Sequence, residues 1–193
     1  MNKRIKSNSI RIIAGQWRGR KLNVLDAEGL RPTTDRVRET VFNWLMYEVQ
    51  GARCLDLFAG TGALGIEALS RGARFVQFVE SNQAAARAIE ANINTLQAEP
   101  SAAQVIGQTA ERFLAKPPQT PFDLVFLDPP FADGLLPSMI NQLNTGSWLT
   151  DRAWVYVEQD VKHAPTDVPA HWRLHREGKA GQSRYRLYSL NTA

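Results

Sequence analysis

The chain has 193 residues, 44% of them hydrophobic, with a net charge of +4 and a single cysteine, Cys54. That length fills one core and leaves room for a small appendage, while one cysteine excludes an internal disulfide and no run approaches the roughly 20 apolar residues that a bilayer crossing requires. No apolar segment follows the basic start in the manner of a secretory signal, so the expected setting is soluble, reducing and cytoplasmic.

The charge is unevenly placed. Residues 1–38 hold ten Lys or Arg against three acids, a local balance of +7 that leaves −3 for the remaining 155 residues. A slightly acidic body with a basic arm is the electrostatic footprint of a protein that binds a polyanion. A solvated basic tail is the plain alternative. Trp17, set among Arg11, Arg18 and Arg20, adds a stacking surface and favours nucleic acid.

In chain order, residues 10–25 predict a hairpin of two short strands around Gly15–Gly19. From Thr34 to about Gln50, Val37, Val41, Trp44, Leu45 and Val49 recur at helical spacing, with Gly51 as the stop. A regular alternation follows. Strand-like runs at Arg53–Phe58, Phe75–Val79, Ala103–Ile106, Asp123–Asp128 and Trp154–Glu158 are separated by helical segments at Ala63–Ser70, Gln83–Gln97, Ala110–Ala115 and about Leu135–Leu143. Such βα units predict an α/β fold, a mostly parallel sheet with helices on both faces. The tail, Trp172–Glu177 and Arg184–Leu190, reads as a terminal antiparallel hairpin. The chain thus divides into a basic hairpin-and-helix extension, 1–50, and a catalytic or binding body, 51–193.

Cys54–Leu69, "CLDLFAGTGALGIEAL", is a strand, a glycine-rich turn and a helix. Gly60, Gly62 and Gly65 fit the G-x-G-x-x-G spacing that lets a ligand approach the backbone at a helix N-terminus; a tight turn alone also asks for glycine. Glu80 closes the second strand of the alternation, eighteen residues beyond Gly62, where a carboxylate can accept the hydroxyls of a ribose. Asp56 lies inside the first apolar strand and is costly there without a partner. A bound ammonium or sulfonium would supply one, whereas the pyrophosphate of a dinucleotide would be repelled. The expected cofactor is therefore S-adenosylmethionine.

These residues resemble a known family. "DLFAGTG" with Glu80 looks like the cofactor signature of Rossmann-like class I S-adenosylmethionine-dependent methyltransferases, and Asp128-Pro129-Pro130-Phe131 resembles their motif for methylating nitrogens conjugated to planar systems. With "RIIAGQWRGRKL" (11–22), "RPTTDRVRETVFNWL" (31–45) and the tail, almost the whole chain resembles the RsmD family, which methylates the exocyclic N2 of a guanine in 16S ribosomal RNA of the small subunit. The resemblance implies a seven-stranded sheet whose last hairpin is antiparallel, and action on a partly or fully assembled small subunit, expected here from a monomer. It also implies that Phe58 and Ser81 join Asp56, Gly60, Gly62, Gly65 and Glu80 around the cofactor. Where many relatives carry an acid or amide that meets the adenine, this chain has Gln108 and Thr109, so one of these must substitute or the backbone makes the contact.

The "DPPF" run has a physical logic of its own. The residue before a proline is held extended, so Asp128 and Pro129 are both restricted, and neither proline offers an N–H. The Asp128 carboxylate and the Pro129 carbonyl can then accept the two N–H bonds of a planar amine, freeing its lone pair, while Phe131 stacks on the base. A strand-ending turn with Phe131 in the core is the simpler reading of the same letters. The three histidines, His163, His171 and His175, form no ligand pattern, and no metal is expected. Arg11, Trp17, Arg18, Arg20 and Lys21 of the hairpin, with Arg31, Thr33, Arg36 and Arg38 after it, are expected to flank the crevice and hold phosphates. Methylation of DNA adenine N6 or of a protein glutamine, a non-catalytic RNA-binding module, and a nicotinamide oxidoreductase remain as alternatives.

Overall fold

The computed structural model describes residues 9–23, 34–130 and 134–190. Two short strands, β1 (Ser9–Arg11) and β2 (Lys21–Asn23), pair antiparallel as the expected hairpin, and α1 (Asp35–Trp44) follows. The alternation then runs β3 (Arg53–Asp56), α2 (Ala63–Ser70), β4 (Phe75–Val79), α3 (Gln83–Thr95), β5 (Ala103–Ile106), α4 (Ala110–Leu114), β6 (Phe122–Leu127), α5 (Leu136–Thr145) and β7 (Leu149–Asp160), closed by β8 (Arg173–Ala180) and β9 (Ser183–Ser189). The main sheet has seven strands in the order β5-β4-β3-β6-β7-β9-β8. β3 to β7 are mutually parallel, and β9 inserts antiparallel between β7 and β8.

The strand order reverses between β3 and β6, since the chain builds outward from β3 through β4 to β5 and then returns to the other side. In open α/β sheets the crevice at the carboxyl ends of such strands is where ligands bind. Alternation along each central strand sends neighbours to opposite faces. Cys54, Phe126 and Tyr156 pack with residues of α1, α2 and α3, whereas Leu55, Val125 and Val155 pack with residues of α4 and α5.

Helix α1 is shorter than its apolar spacing predicts. Thr34 caps it by accepting the Val37 N–H, a bond worth about 1 kcal/mol, but the helix ends at Trp44 and turns continue to Gly51, whose φ is +76°. The turns keep the apolar pattern: Leu45 and Val49 stay buried while Tyr47 is 85% exposed, and the Glu48 carboxylate accepts the Trp154 indole N–H at 3.0 Å.

The extension is built into the body. Ile12, Leu22, Val41 and Phe42 belong to the same apolar cluster as Cys54, Phe126 and Tyr156. Glu67, 1% exposed in the middle of α2, joins the two parts: its carboxylate accepts the Ile13 and Ala14 N–H groups at 2.9 and 3.0 Å, accepts Arg71 Nε at 2.8 Å, and lies 3.8 Å from Arg38 Nη1. A buried charge persists only when its partners and hydrogen bonds are in place.

Candidate active site

A cavity of about 690 Å³ opens at the carboxyl ends of the central strands, within the roughly 300–1,000 Å³ usual for a ligand site. Asp56, Phe58, Gly60, Glu80 and Ser81 line it on the β3–β4 side, and Gln108 and Thr109 line it beyond β5. The Thr109 oxygen caps α4 by accepting the Arg112 N–H at 3.3 Å, which leaves Gln108 as the freer of these two side chains toward a ligand.

Asp56 is 2% exposed, and its Oδ2 accepts the Gly65 N–H at 2.9 Å. The partner that this carboxylate needs is thus supplied by the protein backbone. Burial is the main cause that pushes the carboxyl up to about 7; the Gly65 bond opposes that rise and the nearby Glu80 charge adds to it. Glu80 braces the glycine loop, with one oxygen accepting the Gly60 N–H and the other the Asn82 N–H, each at 2.7 Å. A carboxylate has about four lone-pair sites, so both oxygens retain capacity toward the cavity.

Two of the expected cofactor glycines serve the fold. Gly62 and Gly65 are not among the lining residues. Gly62, at φ +76°, is the left-handed residue from which α2 starts, and a Cβ at Gly65 would overlap the Phe78 ring where α2 crosses β4. The glycine spacing therefore marks the turn correctly while only Gly60 faces the ligand space.

Across the switch point, Asp128, Pro129 and Pro130 follow β6 and line the same cavity. Asp128 is half-buried, Pro129 buried and Pro130 exposed. Phe131 lies outside the described residues, as do Arg31 and Thr33. The crevice thus brings the glycine loop, Asp56, Glu80 and the Asp-Pro-Pro segment together.

The lining includes residues that sequence reasoning missed. Thr34 and Val37 come from the start of α1, Gly181, Gln182 and Ser183 from the turn between β8 and β9, and Glu158 from the end of β7. Glu158 carries the mark that singled out Glu80, an acid closing an apolar strand. It is 5% exposed and accepts the Tyr156 hydroxyl at 2.6 Å. Tyr156, fully buried, is pushed well above the usual phenol range by burial first, then by the Glu158 and Asp128 charges and by its hydroxyl's bond to Glu158. The turn residues had no signal, because they reach the site only through the insertion of β9.

The basic residues divide. Arg36 is exposed in the first turn of α1, one residue before the lining residue Val37 and not itself among the lining residues. Arg38 requires a correction: it is 1% exposed and directed inward, toward Asp35 at 2.6 Å, Glu67 and the Arg11 carbonyl at 2.9 Å. The hairpin turn requires another. Gln16 N–H donates to the Ser70 carbonyl and Trp17 N–H to the Ser70 hydroxyl, at the end of α2 away from the crevice. Gly15 allows this approach, since its φ is +84° and a Cβ there would overlap the Ser70 backbone. Eight helical residues separate the ends of α2 by roughly 10 Å, so Trp17 does not border the cavity. Arg20 donates to the Thr95 carbonyl where α3 ends, roughly 18 Å down a 13-residue helix that starts beside the crevice. Arg11, Arg18 and Lys21 are exposed on the same hairpin.

Comparison with known proteins agrees with this geometry. Residues 10–189 match the family model described as "Conserved hypothetical protein 95". Ribosomal RNA small subunit methyltransferase D of Escherichia coli is 53% identical over 182 residues, covering 94% of this chain and 90% of that protein. The solved structure of the yhhF protein of Escherichia coli superposes with a TM-score of 0.87 at 50% identity, covering 94% of this chain and 98% of that one. The fold extends to SMU.776, solved with SAH, at a TM-score of 0.71 and 11% identity over 97% of this chain and 57% of that one. A model match along nearly the whole chain, joined to such identity, establishes that the chain belongs to this family, the RsmD family.

Proposed function

We propose that this chain transfers a methyl group from S-adenosylmethionine to the exocyclic N2 of a guanine in 16S ribosomal RNA. The observation that carries the reading is the single crevice in which the glycine loop, Asp56 and Glu80 face Asp128 and Pro129 across the sheet's switch point. The 53% identity to ribosomal RNA small subunit methyltransferase D supports the choice of RNA. Glu80 takes the ribose hydroxyls, Asp56 the ammonium, the Gly60 loop approaches the nucleoside, and Gln108 reaches the adenine.

In the reaction the N2 lone pair attacks the methyl carbon. The C–N bond forms as the C–S bond breaks, the sulfonium takes the bonding pair and becomes a thioether, and the amine's surplus proton passes to Asp128 or to water. Asp128 and the Pro129 carbonyl hold the two N–H bonds, which withdraws the amine from conjugation and points its lone pair at the methyl. Alignment of this kind can supply roughly 7–11 kcal/mol of the barrier. The sulfonium brings its own leaving group, so the proposed chemistry calls for no metal. Arg36 at the start of α1, with Arg11, Arg18 and Lys21 on the hairpin, holds phosphates and sets the orientation of the RNA. We read the enzyme as a cytoplasmic monomer acting on partly or fully assembled small subunits; none of its helices, among the described residues, is long and apolar enough to cross a membrane.

The test is incubation with methyl-labelled S-adenosylmethionine and, separately, 16S RNA, small subunits and DNA, followed by mapping of the product nucleoside. Label is expected as N2-methylguanosine in 16S RNA. Label in DNA or protein, or in none of these, overturns the reading.

A further inference from the structure

The proposed chemistry uses Asp128 and Pro129 but leaves a second carboxylate in the same cavity without a task. β6 and β7 run parallel, with Phe126 opposite Tyr156 and Leu127 opposite Val157. β6 ends at Leu127, so Asp128 is the first residue past it and Glu158 is the next one along β7, on neighbouring segments about 4.8 Å apart where the strands pair. Both carboxylates lie near the Tyr156 hydroxyl, since both charges push that phenol up, and Phe126 and Tyr156, two residues back on each segment, meet ring to ring with centroids 6.2 Å apart. Both Asp128 and Glu158 line the cavity.

Glu158 is 5% exposed, and the bond from the Tyr156 hydroxyl to its Oε2 uses one of about four lone-pair sites. A carboxylate so nearly buried on a cavity wall has capacity for a donor brought by the ligand, and burial makes such a bond count. The base chemistry then discriminates. Guanine carries a ring N–H, at N1, directly beside its exocyclic amine. Adenine and cytosine place a ring lone pair beside theirs, which a carboxylate repels. Two adjacent carboxylates therefore match the N1–N2 edge of guanine, one taking the amine and the other the ring N–H.

We propose that Glu158 is the specificity residue of this site, accepting N1–H of the guanine whose N2 amine is held by Asp128 and Pro129. The assignment rests on the guanine-N2 reading above. It makes the site reject purines that offer an amine without the neighbouring N–H, and it gives the Tyr156 hydroxyl the role of fixing the Glu158 carboxylate in place.

The test uses 16S RNA, reconstituted with its proteins where naked RNA is inert, carrying either guanine or 2-aminopurine at the mapped position. 2-Aminopurine keeps the N2 amine and replaces N1–H with an acceptor. For the wild type, kcat/KM should favour guanine by on the order of a hundredfold. Glu158→Gln can still accept the Tyr156 hydroxyl through its oxygen while offering its amide N–H to the 2-aminopurine N1, so the ratio should fall by about tenfold or more, with 2-aminopurine turnover rising in absolute value. Comparing ratios cancels the intrinsic reactivity of the two amines. Tyr156→Phe keeps the carboxylate but frees it to turn, so the guanine preference should fall, though by less than Glu158→Gln lowers it.

If Glu158 only anchors Tyr156, Glu158→Gln lowers both substrates by the same factor, and the proposal is overturned. Equal use of guanine and 2-aminopurine by the wild type also overturns it, without reliance on any variant that fails to fold. Absence of guanine methylation by the wild type is a different failure, which brings down the functional reading and this assignment with it.

Discussion

Two antiparallel hairpins bracket the chain, and they meet the sheet at opposite ends. The first, β1–β2, carries Arg11, Trp17, Arg18, Arg20 and Lys21, yet its turn docks on Ser70 at the end of α2 away from the crevice. The second, β8–β9, brings Gly181, Gln182 and Ser183 to the cavity wall, because β9 runs antiparallel to β7 and Ser183 pairs with Asp160 at the crevice edge. Charge density identified the first as the nucleic-acid element, whereas topology puts the second nearer the chemistry. The lesson is that a run of cations reports the sign of a partner, while strand order decides which residues reach the reacting atoms. On the proposed reading, the first hairpin is a remote phosphate handle and the second is part of the wall around the target base.

The largest effect is expected from severing the first hairpin's anchor. Glu67→Ala removes one of the two carboxylates beside the buried Arg38, breaks the ion pair with Arg71 and orphans the Ile13 and Ala14 N–H groups, a loss of roughly 3–5 kcal/mol. The melting midpoint should fall by roughly 6–20 °C. A midpoint within 2 °C of wild type, by about the smallest shift that 1 kcal/mol gives in a chain this size, would show that the extension is only loosely held and would dissolve the contrast between the hairpins.

Next comes the wall beside the second hairpin. On the proposed mechanism Asp128→Ala removes an acceptor needed only as the amine reacts, so turnover should drop on the order of 10²–10³-fold while S-adenosylmethionine affinity, read by calorimetry, stays within about tenfold of wild type. Unchanged turnover would remove Asp128 from the mechanism and leave the second hairpin beside an inert wall.

The same contrast explains what could be read from the letters. Phe75–Val79 and Ala63–Ser70 match their expected bounds because a buried strand inside the sheet and a wholly buried helix leave no competing signal, and Ala103–Ile106 matches at the sheet edge, where it pairs with β4 alone. Helix α1 falls short of its expected length because Leu45 and Val49 are buried by turns that imitate helical spacing. Asp56 and Glu80 were legible since an acid in or at the end of an apolar strand is costly unless a bond or a ligand offsets its burial. Arg38 was not, because besides its local partner Asp35 it is held inward by the Arg11 carbonyl and by Glu67, both remote in sequence. Glu158 was legible in principle by the strand-end rule, but its meaning needed the pairing of β7 with β6.

A control that involves neither hairpin is the pH dependence of cofactor affinity. Asp56 sits at about 7 in the free protein, raised by burial. Below that value it is protonated and neutral toward the cofactor ammonium; above it the carboxylate is ionised and attractive. Binding should therefore strengthen by roughly fivefold between about pH 6 and 7.5, the rise being limited at its upper end by loss of the ammonium proton near 8. Asp56→Asn should bind more weakly at the upper end of this window and show no such rise. A wild-type affinity flat across the window would assign Asp56 to bracing Gly65 alone.

The smallest effects separate the hairpins most directly. Arg18 is exposed on the first and Lys179, next to the lining residue Ala180, on the second. If the first is a remote phosphate handle, Arg18→Ala should lower the slope of log affinity against log salt by about 0.7–0.9 and leave turnover at saturating RNA unchanged. If Lys179, one residue from the cavity wall, holds a phosphate near the reacting base, Lys179→Ala should give a similar change in slope. Its turnover should fall by about twofold to tenfold, the cost of a slightly misplaced target. The comparison reverses if Arg18→Ala slows turnover and Lys179→Ala does not. In that case the RNA would have to wrap from the far end of α2 to set the base, and the first hairpin would orient the target despite its distance from the crevice.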